Sequence, residues 1–510
     1  MAKKTGERVE DLKGKFNKQE VDARIRESIP FKHPWHNRFH VDPAYSLISD
    51  PNGLTFCDGK FHIFAQWNPI PQNRNWHKSK SWYHTTTTDF VNYTMPELSM
   101  WPTDVYDKDG CYSGCGFVED GKVRVFYTCN ARDDNYMRKV TQRFGTLQDD
   151  GSISKDEIIV ATQPEGYTSH FRDPNLFYRD GKRYFVIAAQ RLNDPEKKES
   201  SRPTNGTALV YKETDTKDNF ELLGEIKTDY YDFGYMWECP NFVQFDEADA
   251  LIMCPQGVPH EPFRFHNYCL CGYIAGHLSL DTMEMTHGEF QELDRGFDFY
   301  SPQILYHEGR KILIGWMGMP ELVNEMASAD LPDEDNPWLY SLTMPRELSF
   351  KNGHIYCNPI KEFEALRGDC KVVDEENKQN IAIDLPDGSE SNLTLKFGDA
   401  EKVSLVLAYG EEKLTFNYNK TTQIMFIDRN GMNLGGKGTR KFKLATDGEL
   451  QFRLFVDRSA IEIYLQDGEE VAGMFVFPEK VFVPKFTIEA DAPIAKVCGN
   501  VWAMGQFNYK

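Results

Sequence analysis

The sequence predicts an all-β protein in which a five-bladed β-propeller is followed by a C-terminal antiparallel β-sandwich. Two observations lead to this fold class: a strand-rich unit recurs five times in roughly the first 350 residues, and a different pattern of short alternating runs begins near residue 364. The chain of 510 residues is also too long for one ordinary core. We therefore expect an N-terminal extension over 1–31, the propeller over 32–360, and a linker with the sandwich over 361–510.

The recurring unit is marked by a hairpin turn that precedes an apolar, β-branched or aromatic run. An acidic residue followed by Gly, between two strand-like runs, is typical of a tight hairpin. Four turns have this form and the fourth in chain order departs from it: Asp58-Gly59, Asp120-Gly121, Asp180-Gly181, Glu247-Ala248-Asp249 and Glu308-Gly309. The turns recur every 60 to 67 residues or so, about the length of a four-stranded blade with long loops.

A short motif opens the strand before each turn, and it recurs at a matching phase. The motifs are Asp50-Pro51-Asn52, Ser113-Gly114, Asp173-Pro174-Asn175, Glu238-Cys239-Pro240-Asn241 and Ser301-Pro302-Gln303. If these strands are the inner strands of the blades, the motifs meet around a central channel. Asp50, Asp173 and Glu238 would then form an acidic cluster there. Asp-Pro-Asn is also a common turn starter, so the motifs could equally be structural markers of the repeat.

The pattern changes in the last third of the chain. The stretch Glu364–Arg367 predicts a short helix that Gly368 would end. Alternating runs such as 393–397 and 460–464 follow, with turns between them, which is typical of an antiparallel sandwich. The charged segment Asp374–Lys378 is expected to be a solvated boundary.

Charge and cysteine content narrow the functional class. The net charge of −20 argues against nucleic acid or an anionic membrane as the main partner. No apolar stretch is long enough to span a bilayer, and the N-terminal residues never reach the apolar region of a secretion signal. The 11 cysteines include no C-x-x-C pair, which favours reduced thiols, a cytoplasmic location and no metal site. The sequence does not define an oligomeric state.

Taken together and in order, the motifs resemble glycoside hydrolase family 32, the family of invertases and sucrose-6-phosphate hydrolases, from about residue 32 to near the chain's end. Its nucleophile, Arg-Asp-Pro and Glu-Cys motifs match Ser49–Gly53, Arg172–Pro174 and Trp237–Pro240. The accompanying motifs are Gln66–Pro69, Tyr112–Gly114, Asp298–Gln303, Ile314–Gly318, Pro345–Leu348 and Asp457–Ser459 with Glu462.

The resemblance implies a retaining hydrolase of the β-fructofuranosyl bond of sucrose or sucrose-6-phosphate, without a cofactor. Asp50 would be the nucleophile, Glu238 the acid/base and Asp173 the transition-state stabiliser. Retention requires two carboxyls about 5–5.5 Å apart, with different proton affinities. An apolar wall or a neighbouring carboxylate would keep Glu238 protonated. The implied sugar-binding residues are Ser49, Asn52, Gln66, Trp76, Tyr112, Ser113, Arg172 and Trp316.

Several positions depart from the family pattern and leave the preferred sugar open. Ser49 replaces the usual Asn, Tyr83 a usual Gly, and Cys115 the second Ser of a Ser-Gly-Ser motif. A fructan hydrolase or a transfructosylase would use the same intermediate, while a sugar-binding or protein-binding propeller would need no carboxylates. A candidate phosphate clamp comprises Arg74, Lys78 and Lys80, although solvated surface charge is the more ordinary interpretation of these residues.

Overall fold

The computed structural model of the protein describes residues 17–70, 79–192, 204–320 and 338–510. In these ranges the fold is all-β, and its one α-helix, α1, spans Lys18–Ser28. Asn17 caps this helix, because its side chain accepts a hydrogen bond from the Gln19 amide. Asp22 of α1 accepts a hydrogen bond of 2.8 Å from the Leu98 amide, which docks the helix on the first sheet. No helix in the described ranges is long and apolar enough to cross a membrane.

Five sheets follow one another along the chain, and all their pairings are antiparallel except two short additions to the first sheet. The first contains β1 Ser46–Cys57, β2 Lys60–Asn68, β3 Ser81–Thr87, β4 Asn92–Tyr93 and β5 Glu97–Met100. The second contains β6 Cys111–Glu119, β7 Lys122–Arg132, β8 Arg138–Leu147 and β9 Ile153–Thr162. The third contains β10 Tyr167–Arg179, β11 Lys182–Leu192, β12 Thr204–Glu213 and β13 Phe220–Glu225.

The fourth sheet contains β14 Met236–Gln244, β15 Asp249–Gln256, β16 Gly272–Leu278, β17 Met285–His287 and β18 Gln291–Glu292. The fifth contains β19 Tyr300–His307, β20 Arg310–Met317, β22 Ser341–Leu342, β23 Arg346–Lys351 and β24 His354–Pro359. Between β20 and β22, β21 Trp338–Leu339 returns to the first sheet and pairs in parallel with β1. The sheets have a propeller-like arrangement, in which the opening strands β1, β6, β10, β14 and β19 each contact the next and β19 contacts β1.

Each opening strand breaks its pairing register at the motif that the sequence singles out. The breaks lie between Ile48 and Pro51, Cys111 and Gly114, Arg172 and Asn175, Glu238 and Asn241, and Tyr300 and Gln303. Such bulges re-aim side chains away from the regular ladder. Asp173, Cys239 and Ser301 each adopt a positive φ at this point, of 64°, 47° and 46°. The repeat in the sequence is therefore a repeated bulge at equivalent positions in neighbouring sheets.

The first two sheets approach closely beside Asp50. Gly116 on β6 lies against the backbone of Gly53 on β1, and a Cβ at residue 116 would be 2.2 Å from the Gly53 carbonyl oxygen. Only glycine allows this approach.

The C-terminal part forms a ten-stranded, sandwich-like sheet. Its strands are β25 Arg367–Asp384, β26 Ser389–Lys396, β27 Lys402–Tyr409, β28 Glu412–Asn419, β29 Ile424–Gly431, β30 Thr439–Lys443, β31 Glu449–Val456, β32 Ala460–Leu465, β33 Glu470–Phe475 and β34 Lys485–Met504. The 20-residue strand β34 pairs with β25, β26 and β27, so it links three other strands of this sheet. A last strand, β35 Asn508–Tyr509, pairs with β4 of the first sheet.

Two local predictions for this part differ from the structure. A 3-10 helix spans Lys361–Leu366, and Gly368 lies inside strand β25 instead of ending a helix. The segment Asp374–Lys378 is part of the same strand, because β34 provides a partner for its backbone. Its charged side chains are mostly exposed, which made it resemble a solvated boundary.

Candidate active site

Three carboxylates from three different sheets meet at the register breaks. Asp50 lies on β1, Asp173 on β10 and Glu238 on β14. The charges of Asp50 and Glu238 both act on Asp173. Asp173 is 3% exposed and the Glu238 side chain is 17% exposed. The repeat thus brings together the three acidic residues that the sequence singles out.

Arg172 connects two of these carboxylates. Its Nε and Nη2 donate to Oε1 of Glu238 at 3.0 and 2.5 Å, and Nε lies 3.9 Å from Oδ2 of Asp173. The second Glu238 oxygen, Oε2, accepts from the Tyr300 hydroxyl at 2.7 Å and from Gln256 Nε2 at 2.6 Å. Glu238 is therefore held in one orientation by three side chains.

These contacts give the carboxyls different proton affinities. Burial opposes ionisation of Glu238, but the charge of Arg172 and the hydrogen bond from Tyr300 lower the pKa of this carboxyl. Burial raises the pKa of Asp173 to about 7; Arg172 opposes this rise, and the charges of Glu238 and Asp50 add to it. The expectation that its surroundings keep Glu238 protonated is wrong for this arrangement. Arg172 stabilises the Glu238 carboxylate and leaves the proton on Asp173.

A separate set of side chains surrounds Asp50. Ser113 Oγ donates to Asp50 Oδ2 at 2.5 Å, and Gln66 Nε2 donates to Ser113 Oγ. Asn52 accepts from the Gly114 amide at 3.1 Å through Oδ1. On Ser49 and the residues of this set, three buried polar atoms have no partner among the described residues: Ser49 Oγ, Asn52 Nδ2 and Gln66 Oε1. Donors and acceptors of this kind can bind sugar hydroxyls.

The predicted aromatic residues have different environments. Tyr112 is buried, and Lys80 Nζ lies 4.8 Å from the centre of its ring. Trp316 is 1% exposed, and its ring packs edge-on against Tyr300 at 6.3 Å, so it supports a neighbour of Glu238. The indole Nε1 of Trp316 has no partner among the described residues. Trp76 lies outside the described residues, as do Arg74 and Lys78.

The structure adds site residues that the sequence reasoning missed. Tyr300 precedes Ser301-Pro302 in the same phase in which Arg172 precedes Asp173-Pro174, so the repeat could have identified it. Gln256, at the end of β15, carries no motif. His170 contacts Arg172, with its Nδ1 at 2.8 Å from Arg172 Nη1. No signal in the sequence distinguishes Gln256 or His170 from other polar residues.

A group of buried amides lies directly after the bulges. Asn175 Nδ2 donates to Asn241 Oδ1 at 3.1 Å and lies 3.5 Å from Gln303 Oε1. Asn241 Nδ2 in turn donates to the carbonyls of Cys239 and Pro302. These bonds connect the opening strands of the third, fourth and fifth sheets just behind Asp173 and Glu238. In the described ranges, no group of three or more His, Cys, Asp or Glu side chains is arranged to bind a metal ion.

Comparison with known proteins identifies relatives over most of the chain. The family models for the N-terminal and C-terminal domains of glycosyl hydrolases family 32 match residues 40–359 and 362–491. A sucrose-6-phosphate hydrolase of Bacillus subtilis is 33% identical over 90% of this chain and 94% of its own length. One of Staphylococcus xylosus is 34% identical over 88% of each chain.

Solved structures agree with these matches. The sucrose-6-phosphate hydrolase from Lactobacillus gasseri superposes with a TM-score of 0.82 at 27% identity, covering 97% of this chain and 98% of the other. A β-fructofuranosidase of Bombyx mori superposes with a TM-score of 0.80, covering 97% and 99%. At 24% identity, the second likeness concerns the fold alone.

Proposed function

The chain belongs to glycosyl hydrolase family 32, and from this membership we propose that it is a retaining enzyme that cleaves the β-fructofuranosyl bond of sucrose or sucrose-6-phosphate. The observation that carries the proposal is the meeting of Asp50, Asp173 and Glu238, with Arg172 bonded to Glu238 and close to Asp173. Hydrolysis with retention needs a carboxylate nucleophile and a second carboxyl that donates and then removes a proton.

Asp50 is the nucleophile in this proposal. The Ser113 hydroxyl donates a hydrogen bond to Oδ2 of Asp50, which fixes the orientation of the carboxylate. Asp50 attacks the anomeric carbon of the fructosyl unit as the bond to the leaving oxygen breaks, and Glu238 gives that oxygen its proton. Glu238 then takes a proton from water, which attacks the same carbon, releases fructose and regenerates Asp50.

The proton on Glu238 must arrive when the sugar binds. Hydroxyls of the fructosyl unit that donate to Asp173 favour its ionised form, and exclusion of water around Glu238 favours the protonated form there. Both changes move the shared proton from Asp173 to Glu238. The ionised Asp173 then stabilises the positive charge that develops on the fructosyl ring. After the transfer, Arg172 and Tyr300 stabilise the Glu238 carboxylate, so its lowered pKa makes it a strong acid.

The proposal includes the architecture and the location. The five N-terminal sheets are the five blades of one propeller, supported by the closed series of contacts among their opening strands. The catalytic propeller covers 32–360, and the linker and sandwich cover 361–510. All 11 cysteines lie in the described ranges outside any disulfide and nine are buried, which suits the reducing cytoplasm.

The first test is fructose release from sucrose and sucrose-6-phosphate by the purified protein and two variants. Asp50→Ala and Glu238→Gln are each expected to lower turnover by several orders of magnitude, since the two carboxyls act as one unit. Asp180→Asn, in an exposed turn, is the matched control and should leave turnover unchanged.

The same variants can distinguish the two roles. A fructosyl donor with a good leaving group, such as fructosyl fluoride, needs little acid assistance. Glu238→Gln should therefore accumulate a fructosyl adduct on Asp50 with this donor, detectable by mass spectrometry, while Asp50→Ala should not. Near-normal turnover of either variant on the natural sugar would refute the assignment.

A further inference from the structure

Asp173 belongs to the third sheet, but a side chain of the second sheet holds its backbone. At the bulge of β10, Asp173 has a φ of 64°, a left-handed conformation that a residue with a Cβ seldom adopts unless its surroundings hold it there. The pairing of β10 with β11 is interrupted between Arg172 and Asn175. Within this interruption, the Asp173 amide donates to Oγ1 of Thr128 on β7 at 2.9 Å. The Thr128 hydroxyl therefore serves as the acceptor for this amide in place of a partner strand.

Gln142 on β8 makes a second contact with the same stretch of β10. It lies directly opposite Thr128 in the pairing of β7 with β8, so both side chains are on one face of the second sheet. Thr128 Oγ1 donates to Gln142 Oε1 at 2.7 Å, and Gln142 Nε2 donates to the carbonyl of Phe171 at 3.2 Å. The second sheet thus holds the backbone of β10 on both sides of Arg172, the residue that bonds Glu238.

The direction of each hydrogen bond follows from the groups that are present. The Phe171 carbonyl can only accept, so Gln142 must direct its nitrogen to Phe171 and its oxygen to Thr128. The Thr128 hydroxyl then gives its single proton to Gln142, and its oxygen accepts from the Asp173 amide. Both side chains are fully buried, where a polar group without a partner is unfavourable. The arrangement is therefore fixed in one direction.

The carboxylate of Asp173 continues this series of hydrogen bonds into the fourth sheet. Its Oδ2 accepts from the amide of Cys239 at 3.2 Å. Cys239 directly follows Glu238 and has a φ of 47° at the bulge of β14. The series thus runs from Gln142 through Thr128 and Asp173 to the backbone beside Glu238. A shift of Asp173 would displace its own carboxylate and would also remove the acceptor of that amide.

We propose that Thr128 and Gln142 are positioning residues for catalysis, which hold the bulge of β10 in the one conformation that directs the Asp173 carboxylate at the fructosyl ring. This inference rests on the proposed function, in which Asp173 stabilises the charge that develops on that ring. The two residues act through Asp173 and make no contact with the reacting atoms. An interaction that is strongest in the transition state supports turnover more than binding. Loss of either residue should therefore lower kcat more than it changes KM.

The test measures kcat and KM for sucrose and sucrose-6-phosphate in variants of Thr128. Thr128→Val keeps the shape of the side chain and leaves the Asp173 amide without its acceptor. We expect kcat to fall roughly a hundredfold while KM changes less than about threefold, because a small displacement of a catalytic group costs about this factor in rate. Thr128→Ser keeps the hydroxyl and should restore most of the wild-type kcat.

Two further variants separate positioning from a loss of stability. Thr85→Val removes a similarly buried hydroxyl, which donates to the Thr94 carbonyl at 2.7 Å in the first sheet, and it should leave kcat and KM unchanged. On an Asp173→Asn background, Thr128→Val should lower kcat little further, because the charge that Thr128 positions is already gone. Thermal unfolding of each variant shows whether it is folded at the temperature of the assay.

The outcomes separate this proposal from the proposed hydrolysis. A folded Thr128→Val variant with normal kcat, or one whose effect is undiminished on the Asp173→Asn background, would overturn the positioning role while leaving the hydrolase intact. If Thr128→Val does not fold, Gln142→Met decides: it removes the amide at nearly constant volume, so lower kcat with a steady KM supports the proposal and normal kcat refutes it. A wild type that cleaves neither sugar would refute the hydrolysis, and the positioning for catalysis would fail with it.

Discussion

At the level of single residues, the candidate site contains three carboxyls, two of which, Asp173 and Glu238, compete for the guanidinium of Arg172. Arg172 bonds Glu238 directly and lies 3.9 Å from Asp173. One proton remains in the group near neutral pH, because two adjacent buried carboxylates without full compensation are unfavourable. The macroscopic pKa belongs to the group and not to one carboxyl.

This proton count predicts the pH dependence of catalysis. The pKa of Asp173, raised to about 7, means that the group holds its proton below pH 7 and loses it above. The reaction needs that proton on Glu238, so kcat/KM should fall as the pH rises beyond about 7, approaching tenfold per pH unit. The measurement is a pH profile of kcat/KM, with thermal unfolding followed over the same range to exclude denaturation. A flat profile up to pH 9 would contradict the shared proton.

Tyr300→Phe sharpens this prediction. The Tyr300 hydroxyl donates to Glu238 at 2.7 Å, and this hydrogen bond lowers the pKa of the Glu238 carboxyl. The substitution removes this hydroxyl. The Glu238 pKa should rise without this donor, and the alkaline fall in kcat/KM should move to higher pH. Tyr306→Phe, in an exposed position on the same strand, should leave the profile of the wild type in place.

At the level of elements, the bulges and the amides behind them determine where the carboxyls point. Asn241 follows the bulge of β14 and bonds both to the carbonyl of Cys239 and to that of Pro302 in the next sheet. It also accepts from Asn175 of the preceding sheet. One side chain thus connects three opening strands at the point where Asp173 and Glu238 leave the regular ladder.

Asn241→Ala should therefore affect stability and catalysis together. It leaves buried donors and acceptors unsatisfied, which costs about 1–3 kcal/mol each. We expect the melting temperature to fall by several degrees and kcat to fall more than KM changes, since the carboxyls lose their fixed orientation. Asn433→Ala removes a side chain that donates to exposed Glu479 and is the matched control. A variant with normal stability and normal kcat would show that the amides do not position the carboxyls.

The sequence could predict the opening strands because their signals are local. Acidic-Gly turns and the Pro motifs are each a few residues long. Each is a weak indication of structure by itself, but their recurrence at a constant spacing made the opening strands recognisable. The strand over Asp374–Lys378 could not be predicted, since its charged residues form a strand through pairing with β34, more than 100 residues away. Gln256 was missed for a related reason: its role depends on which side chain lies across the sheet. The proton binds more tightly to Asp173 than to Glu238 because Arg172 contacts Glu238, and only the fold brings these two residues together.

At the level of the whole molecule, a buried ionic network joins the propeller-like sheets to the C-terminal sheet. Arg346 lies between Asp294, at 2.9 Å, and Glu462 of β32, at 2.8 Å, and all three side chains are fully buried. His40 lies between Asp457, at 2.9 Å, and Glu462, at 3.3 Å. Arg346, Asp457 and Glu462 are motif residues to which the sequence assigned no role, and the network accounts for them as a group that fixes the two parts together.

The titration of His40 makes the stability of this network depend on pH. Burial opposes charging of His40, but Asp457 and Glu462 raise its pKa to about 9 from the ordinary 6.5. A raised folded pKa of a basic group stabilises the fold fully below the unfolded pKa, and this contribution is lost as the pH rises through the folded pKa. Charged His40 should thus contribute about 3 kcal/mol below pH 6.5, declining to nothing above pH 9.

His40→Gln tests this contribution, because glutamine keeps a hydrogen-bonding side chain and carries no charge. The difference in unfolding free energy between the wild type and the variant should be largest at pH 6 and should shrink steadily toward pH 9.5, as measured by denaturant unfolding. His260→Gln, at an exposed histidine, should show no such trend. A difference that stays constant across this range would mean that the charge of His40 does not stabilise the fold, and that His40 acts through packing and neutral hydrogen bonds.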